Sequence, residues 1–330
     1  MASSFYNNFE FSSAPGYDSF ALPIIFEPAN ESNSSPKSEK RRELAQDDTM
    51  KQVVTVRNNI PRHPIPSMQD AFAESMQEAS ENPSNREPKH SAPVRRQILL
   101  DQDISEDTHA TKWRQEPGQQ YHQLWKLMAQ ISFGIYLLLN GIAKDDEQVM
   151  NILQGHVDEV DEFLETTLED FDLAQDDIEE RLKFLKLPLE NIAIFDAMLE
   201  DRPFRLQIVN GNERIEHVIQ RTAAAMKDSL KDVQQGLNAC KEFTIYLAQE
   251  QETASWRFDR PDMEKVFDAM KGNVEGWYKA YVSLQTKGNY LGVALVQLGS
   301  IVAEMDRRAG EISRKTRVSF SSTEILVASD

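Results

Sequence analysis

Between residues 145 and 186 apolar side chains recur three or four positions apart. They are Val149, Leu153, Val157, Val160, Leu164, Leu168, Phe171, Ile178, Leu182 and Leu185. That is the period of a helix with one buried face. No proline interrupts the run, and Gly155 is its one glycine. The spacing predicts a single amphipathic helix, roughly 60 Å long at 1.5 Å of rise per residue. It should end where Leu187 meets Pro188, because proline supplies no amide hydrogen to continue the ladder.

A second stripe follows: Ile215, Ile219, Thr222, Met226, Leu230, Val233, Leu237, Cys240, Phe243 and Leu247. Its steps of three and four approach a heptad seam. The pattern predicts a second long helix packed side by side with the first. A short helix over 189–199 and a start at Arg202-Pro203 join the two, proline being suited to a first helical turn. Residues 249–257 read as a loop. Asp259-Arg-Pro261 then opens a helix carrying Met263, Val266, Phe267, Met270, Val274, Trp277, Tyr278 and Tyr281. A break is expected at Lys287-Gly-Asn289, before a last helix over 290–312. Gly272 and Gly276, Gly288 and Gly292, and Gly299 and Ala303 each stand four apart. Such spacing lets helices approach closely, and the expected bulky neighbours are Trp125 or Phe133. Each glycine costs about 1 kcal/mol of helix propensity.

Residues 124–143, LWKLMAQISFGIYLLLNGIA, carry one charge, Lys126. The uncharged run from there to Lys144 just reaches the length of a membrane span. Gln130, Ser132, Asn140 and two glycines argue instead for a helix buried by its neighbours. Membrane insertion of this segment is the alternative.

Residues 1–115 show no sustained period and are rich in Ser, Asn, Pro, Gln and Glu. Such a segment lacks the apolar surface to offset its ordering entropy. It reads as a disordered arm, extended through the prolines of 60–66 and transiently helical over 70–81. It holds an aromatic cluster from Phe5 to Phe26, a basic cluster from Lys37 to Arg42, and a minimal phosphosite, Ser35, before Pro36. A Ser-rich tail, 314–330, also reads as disordered. The fold class is therefore all-α: an elongated antiparallel bundle of five or six long, coiled-coil-like helices over 116–313.

Charge sharpens this picture. The chain of 330 residues has 36 Lys and Arg against 54 Asp and Glu, net -18. Between Lys144 and Arg181 stand fifteen acids and no base. So acidic a body repels phosphate backbones and anionic lipid, which disfavours nucleic acid and electrostatic membrane binding. Basic or apolar protein surfaces are the expected partners, and self-association is left open. The single cysteine, Cys240, cannot form an internal disulfide and points to a reducing compartment. The first residues lack a basic region followed by an apolar one, so no secretory signal is read. The expected location is the cytoplasm, with a nuclear one open through the basic cluster.

Candidate chemistry is sparse. The acidic run lacks the glycine turn of a calcium loop. A di-iron bundle needs Glu-x-x-His, but Leu153 precedes His156 by three and Arg214 precedes His217. His122, His156 and His217 read as surface or boundary residues. Phosphate-loop, dinucleotide and hydrolase signatures are absent from the sequence. No catalytic residue, cofactor or metal ligand is assigned. What remains is a partner-binding face on the acidic helix: Asp158, Glu159, Asp161, Glu162, Glu165, Glu169, Asp172 and Asp176. The same residues suit a face that merely keeps the protein soluble.

In the tail, Arg317-Val318-Ser319-Phe320 resembles the RVxF docking peptide of protein phosphatase 1 regulators. The resemblance implies strand addition, with Val318 and Phe320 in apolar pockets and Arg317 at an acidic rim. Arg317 also makes Ser319 a kinase site whose phosphate would hinder docking.

QVMNILQGHVDEVDEFLETTLEDFDLAQDDIEERLKFLKLPLENI and GWYKAYVSLQTKGNYLGVALVQLGSIVAEM resemble a helical domain of uncharacterised proteins from filamentous fungi. The resemblance implies an all-helical domain behind a variable arm and brings no activity. The sequence predicts a non-enzymatic interaction or scaffold protein, with a phosphatase-docking subunit as the alternative.

Overall fold

The computed structural model describes residues 60–78, 90–103 and 118–327, with side chains as far as Arg317. All lie in the unit Arg57–Asp330. Ser35, the aromatic cluster and the basic cluster fall outside the described residues, as do Val318, Ser319 and Phe320 in their side chains.

Eight α-helices and no strand occur among the described residues: α1 (Gln69–Glu78), α2 (Ala92–Asp101), α3 (Gln123–Leu139), α4 (Asp146–Glu190), α5 (Ile192–Met198), α6 (Arg202–Thr253), α7 (Trp256–Asp259) and α8 (Glu264–Val327). The starts are chemical. Asp145 accepts the Gln148 N–H at 3.1 Å to cap α4. Asp201 does the same for Phe204 at 3.1 Å, with Pro203 in the first turn of α6. Such a cap satisfies one of the amides that a helix start leaves unpaired. Ala254 ends α6 in the left-handed region, φ 47°, donating its N–H back to Glu250.

Three long helices form columns, and α8 lies between the other two. It packs along both α4 and α6, whereas α4 and α6 hardly touch. Trp277 and Lys287 of α8 reach Asp161 and Asp172 of α4, at sequence offsets of 116 and 115, so these two helices run parallel. The antiparallel α6 places Gly236 under the Tyr281 ring and Leu230 against Gly288. The fourth column is composite: α3 bridges α4 and α6 at one end, and α2 bridges them further along. The shared core joins Leu153, Val160 and Phe171 of α4 to Val233, Cys240 and Phe243 of α6 and Phe267, Trp277 and Tyr281 of α8. Each large apolar side chain buried this way contributes about 1.5–3 kcal/mol. A smaller cluster, Phe195, Leu199, Met305 and Ala309, closes the far end.

Several expectations are corrected. The first long helix does not pair with the second; both use α8. The last helix is unbroken through 287–289, and a side chain on Gly288 would stand 2.9 Å from both Leu230 methyls. Its absence lets α6 close in, and packing outweighs the propensity cost. Around Gly272, Gly276 and Gly299 there is open space, and Gly292 meets only Met226, so neither Trp125 nor Phe133 is the neighbour. Residues 249–253 continue α6, and Pro188 is held in the last turn of α4. The last helix runs on to Val327 through the stretch expected as a tail from 314.

The arm expected as disordered over 1–115 is helical in two places. Ile65, Met68 and Phe72 are buried against α3, which explains why a polar segment folds there. Lys126, the lone charge of α3, is 1 % exposed in its side chain and pairs with Glu74 at 2.8 Å and Glu78 at 2.5 Å. No helix among the described residues is long and apolar enough to cross a membrane.

Candidate functional site

The core positions of α4 fix where its acids go. With Leu153, Val160, Phe171 and Ile178 turned inward, a step of 100° per residue places Asp158, Glu162, Glu165, Glu169, Asp172, Asp176 and Glu180 in one line on the outer side. The line spans about 33 Å of helix. It includes six of the eight acids predicted from sequence. Asp161 is turned instead to the α8 seam, where the Trp277 indole N–H donates to it at 2.7 Å. Glu159 falls off the line, one turn from His156. Along the stripe Gln154 donates to Asp158 at 2.7 Å, Arg95 reaches Glu169 at 3.2 Å, and Lys287 pairs with Asp172.

On the adjoining side of α4 the acids meet α2. The Arg95 guanidinium reaches both Asp170 oxygens, at 2.9 and 3.2 Å, and the Thr166 carbonyl at 3.4 Å. Arg96 donates to Asp177 at 2.6 Å and to the Thr222 hydroxyl of α6 at 2.9 Å. Arg181 braces Asp177 from behind at 2.9 Å. From α6, Arg221 donates to the Leu99 carbonyl at 3.2 Å and the Asp103 carbonyl at 3.1 Å, and contacts Gln102. The His217 Nε2–H donates to the Leu100 carbonyl at 2.9 Å. Two of the open carbonyls in the last turn of α2, those of Leu99 and Leu100, are thereby satisfied, as a helix end requires.

The two carboxylates under α2 respond differently. Burial pushes the Asp177 carboxyl up, but hydrogen bonds from Arg96 and Arg181 outweigh it and hold the group below its ordinary value. At Asp170 burial wins over Arg95 and the carboxyl lies above its ordinary value. Arg95, drawn by two carboxylates, is raised despite its own burial. None of Arg95, Arg96, Asp170 and Asp177 was singled out from sequence. The available signal was Ser91-Ala-Pro93, a helix-start pattern, before the adjacent arginines. It was obscured because Val94 and Ile98, two of the apolar residues of α2, lie away from its docked face.

Elsewhere the polar interior is structural. His63 is wedged between α1 and α3, its rings nitrogens 2.9 Å from the Ile65 and Ala129 carbonyls. His122 caps α3 and contacts Asp232 at 3.0 Å. Burial pushes the Cys240 thiol up to about 12, which leaves it protonated and a poor nucleophile. Among the described residues no group of three His, Cys, Asp or Glu is placed to hold a metal ion.

Two further surfaces are candidate sites. A groove of about 720 Å³ runs between α4 and α8, lined by Leu182, Val293 and Ala294 together with Lys183, Lys186 and Glu179. Arg317 is exposed, and the backbone of 317–320 is helical. An RVxF peptide docks extended, so binding there requires this last stretch to unwind.

No protein-family model matches the chain, and neither a curated protein nor a solved structure matches it significantly.

Proposed function

We propose that this protein is a non-enzymatic interaction scaffold whose acidic helix α4 receives basic partners along its outer stripe. The observation that carries the reading is the alignment of seven carboxylates on one side of a helix packed against α8 and α3. Lined-up charges on a stiff support favour fast, oriented capture of a complementary surface. Arg95, resting on Glu169 and Asp170, supplies a worked instance of a guanidinium held by this helix.

The test reverses exposed stripe charges in the full chain, as Asp158→Lys, Glu165→Lys and Asp176→Lys together. Proximity labelling in cells should lose a defined set of basic neighbours while the thermal transition stays in place. An unchanged set of neighbours would mean the stripe serves solubility alone.

A second reading, phosphatase docking through Arg317, Val318 and Phe320, draws support from the exposure of Arg317 beyond Ala309, the last core residue of α8. Its check is capture of the phosphatase by the full chain, compared with Val318→Ala and Phe320→Ala. Capture indifferent to both changes rejects it.

A further inference from the structure

We propose that the groove between α4 and α6 is a receptor for a short helix bearing two adjacent arginines, supplied by another protein, and that α2 is its exchangeable resident. The inference does not depend on the outer stripe. Asp170 and Asp177 face α2, and of the stripe Glu169 alone reaches it, at 3.2 Å from Arg95.

The resident helix departs from the usual amphipathic plan. Amphipathic helices turn apolar residues inward. Here Val94 and Ile98 are 44 % and 43 % exposed, and Arg95 and Arg96 point into the body. No residue of α2 is fully buried. At ten residues, with no side-chain bond from its cap at Ser91, it is too short to persist without its seat.

The seat is equally telling. Beneath α2 lie Asp170, Asp177, Thr222 and Arg221, all polar. Water can solvate these groups when the helix leaves, so the hydrophobic penalty of uncovering the seat falls on Leu100 rather than on its polar groups. Leu100 is the one residue of α2 that packs against the core. Recognition is by chemistry that any similar segment could offer: two guanidiniums for two carboxylates, then carbonyls for Arg221 and His217. Paired guanidinium–carboxylate contacts are geometrically selective, so lysines at the same places would fit less well.

While α2 occupies the groove, a competing helix sees only the fraction of molecules in which the groove is open. Occupancy of nine-tenths or more weakens apparent binding in trans about tenfold or more. The experiment uses the full chain and a fluorescent peptide of residues 90–103. Against the wild type the peptide should bind weakly. Against Arg95→Glu/Arg96→Glu, whose own α2 is repelled from the seat, it should bind about tenfold more tightly or better. Adding Asp177→Lys to that acceptor should abolish binding.

Equal affinity for wild type and variant would overturn the proposal, as would no binding to a variant whose thermal transition is intact. Should the variant fail to fold, hydrogen exchange on the wild type decides. Amides of α2 exchanging far faster than those of α1 support the exchange, and equal protection overturns it. A wild type that runs at twice its mass, and as a monomer when Arg95 and Arg96 are changed, would make a second copy the occupant and overturn the proposal as stated.

Discussion

Two ten-residue helices, α1 and α2, arise from the same polar stretch of sequence and lie on the same bundle, yet opposite forces hold them. The first enters by shape. Met68 and Phe72 are 0 % and 3 % exposed, and the Phe72 ring packs against Phe133 of α3 at 4.5 Å between centroids, tilted by 38°. Its charges, Glu74 and Glu78, serve a lysine that would otherwise be stranded in the core. The second enters chiefly by charge: Val94 and Ile98 stay outside, and of its apolar residues Leu100 alone packs against the core. A segment can therefore be part of the fold or merely seated on it, and the nature of the buried contact decides which.

The sharpest way to break this contrast is Phe72→Ala. Truncating a fully packed aromatic costs about 3–5 kcal/mol, enough to release α1 from α3. Hydrogen exchange should show residues 65–78 losing protection while α2 keeps what it has. If α2 loses protection in step, the two helices are one unit and the comparison fails. Next in size is an asymmetry around Lys126. Glu74→Ala with Glu78→Ala leaves a buried ammonium without a partner, and breaking a buried pair in this way costs about 3–5 kcal/mol. The reverse change, Lys126→Met, leaves carboxylates that are 17 % and 35 % exposed and can hydrate. It should cost about 1 kcal/mol or less, since apolar replacement of a buried charge is often neutral. Chemical denaturation of the three proteins compares the two costs directly, and equal costs would show that Lys126 is not the buried partner.

Acid separates the two helices in the same sense. Burial holds the His63 imidazole below its ordinary value, against the opposing hydrogen bonds to Ala129 and Ile65. The folded form thus favours the neutral ring. Its contribution is complete above the unfolded value, about 6.5, and is lost as the pH falls through the lowered folded value. The grip on α2 through Asp177 follows a lower window. That carboxyl also lies below its ordinary value, so its stabilisation persists above about 4 and disappears only beneath it. Exchange measured from pH 7 down to 5 should loosen residues 60–65 first. His63→Gln should remove that sensitivity, and loosening that persists in this variant would assign the effect to another group.

Much of the bundle was legible because its helices obey a period. The stripes of α4 and α6 and the helix start at Arg202-Pro203 follow from local rules that tertiary structure did not overturn. What the pattern could not reveal was pairing. Both α4 and α6 carry seams that suit each other, and only the presence of an unbroken α8 between them decides the arrangement. That continuity was hidden at Gly288, where a weak helix former is retained to admit Leu230. The acidic stripe was readable as a set of residues, apart from Asp161, whose neighbour Trp277 is remote in sequence. The arginine seat was not readable at all. Arg95 and Arg96 look like solvated charges until their partners 71 to 126 positions away are known.

The smallest expected effect tests the charge-held helix directly. Partly exposed ion pairs contribute about 0.2–1 kcal/mol each, and the Arg95 side chain is 26 % exposed. Arg95→Ala and Arg96→Ala should each lower the unfolding free energy of the bundle by about 1 kcal/mol or less. The Arg96 change should be the larger, because its side chain is 10 % exposed and Thr222 also loses a partner. Both effects should fade with salt, since the screening length falls from about 10 Å at 0.1 M to about 3 Å at 1 M. The cost of Phe72→Ala should not fade. A double-mutant cycle of Arg96→Ala with Asp177→Ala, run at both salt concentrations, isolates the pair. A coupling of several kcal/mol that ignores salt would mean that α2 is built into the body as firmly as α1, and that a seated helix is the wrong description of it.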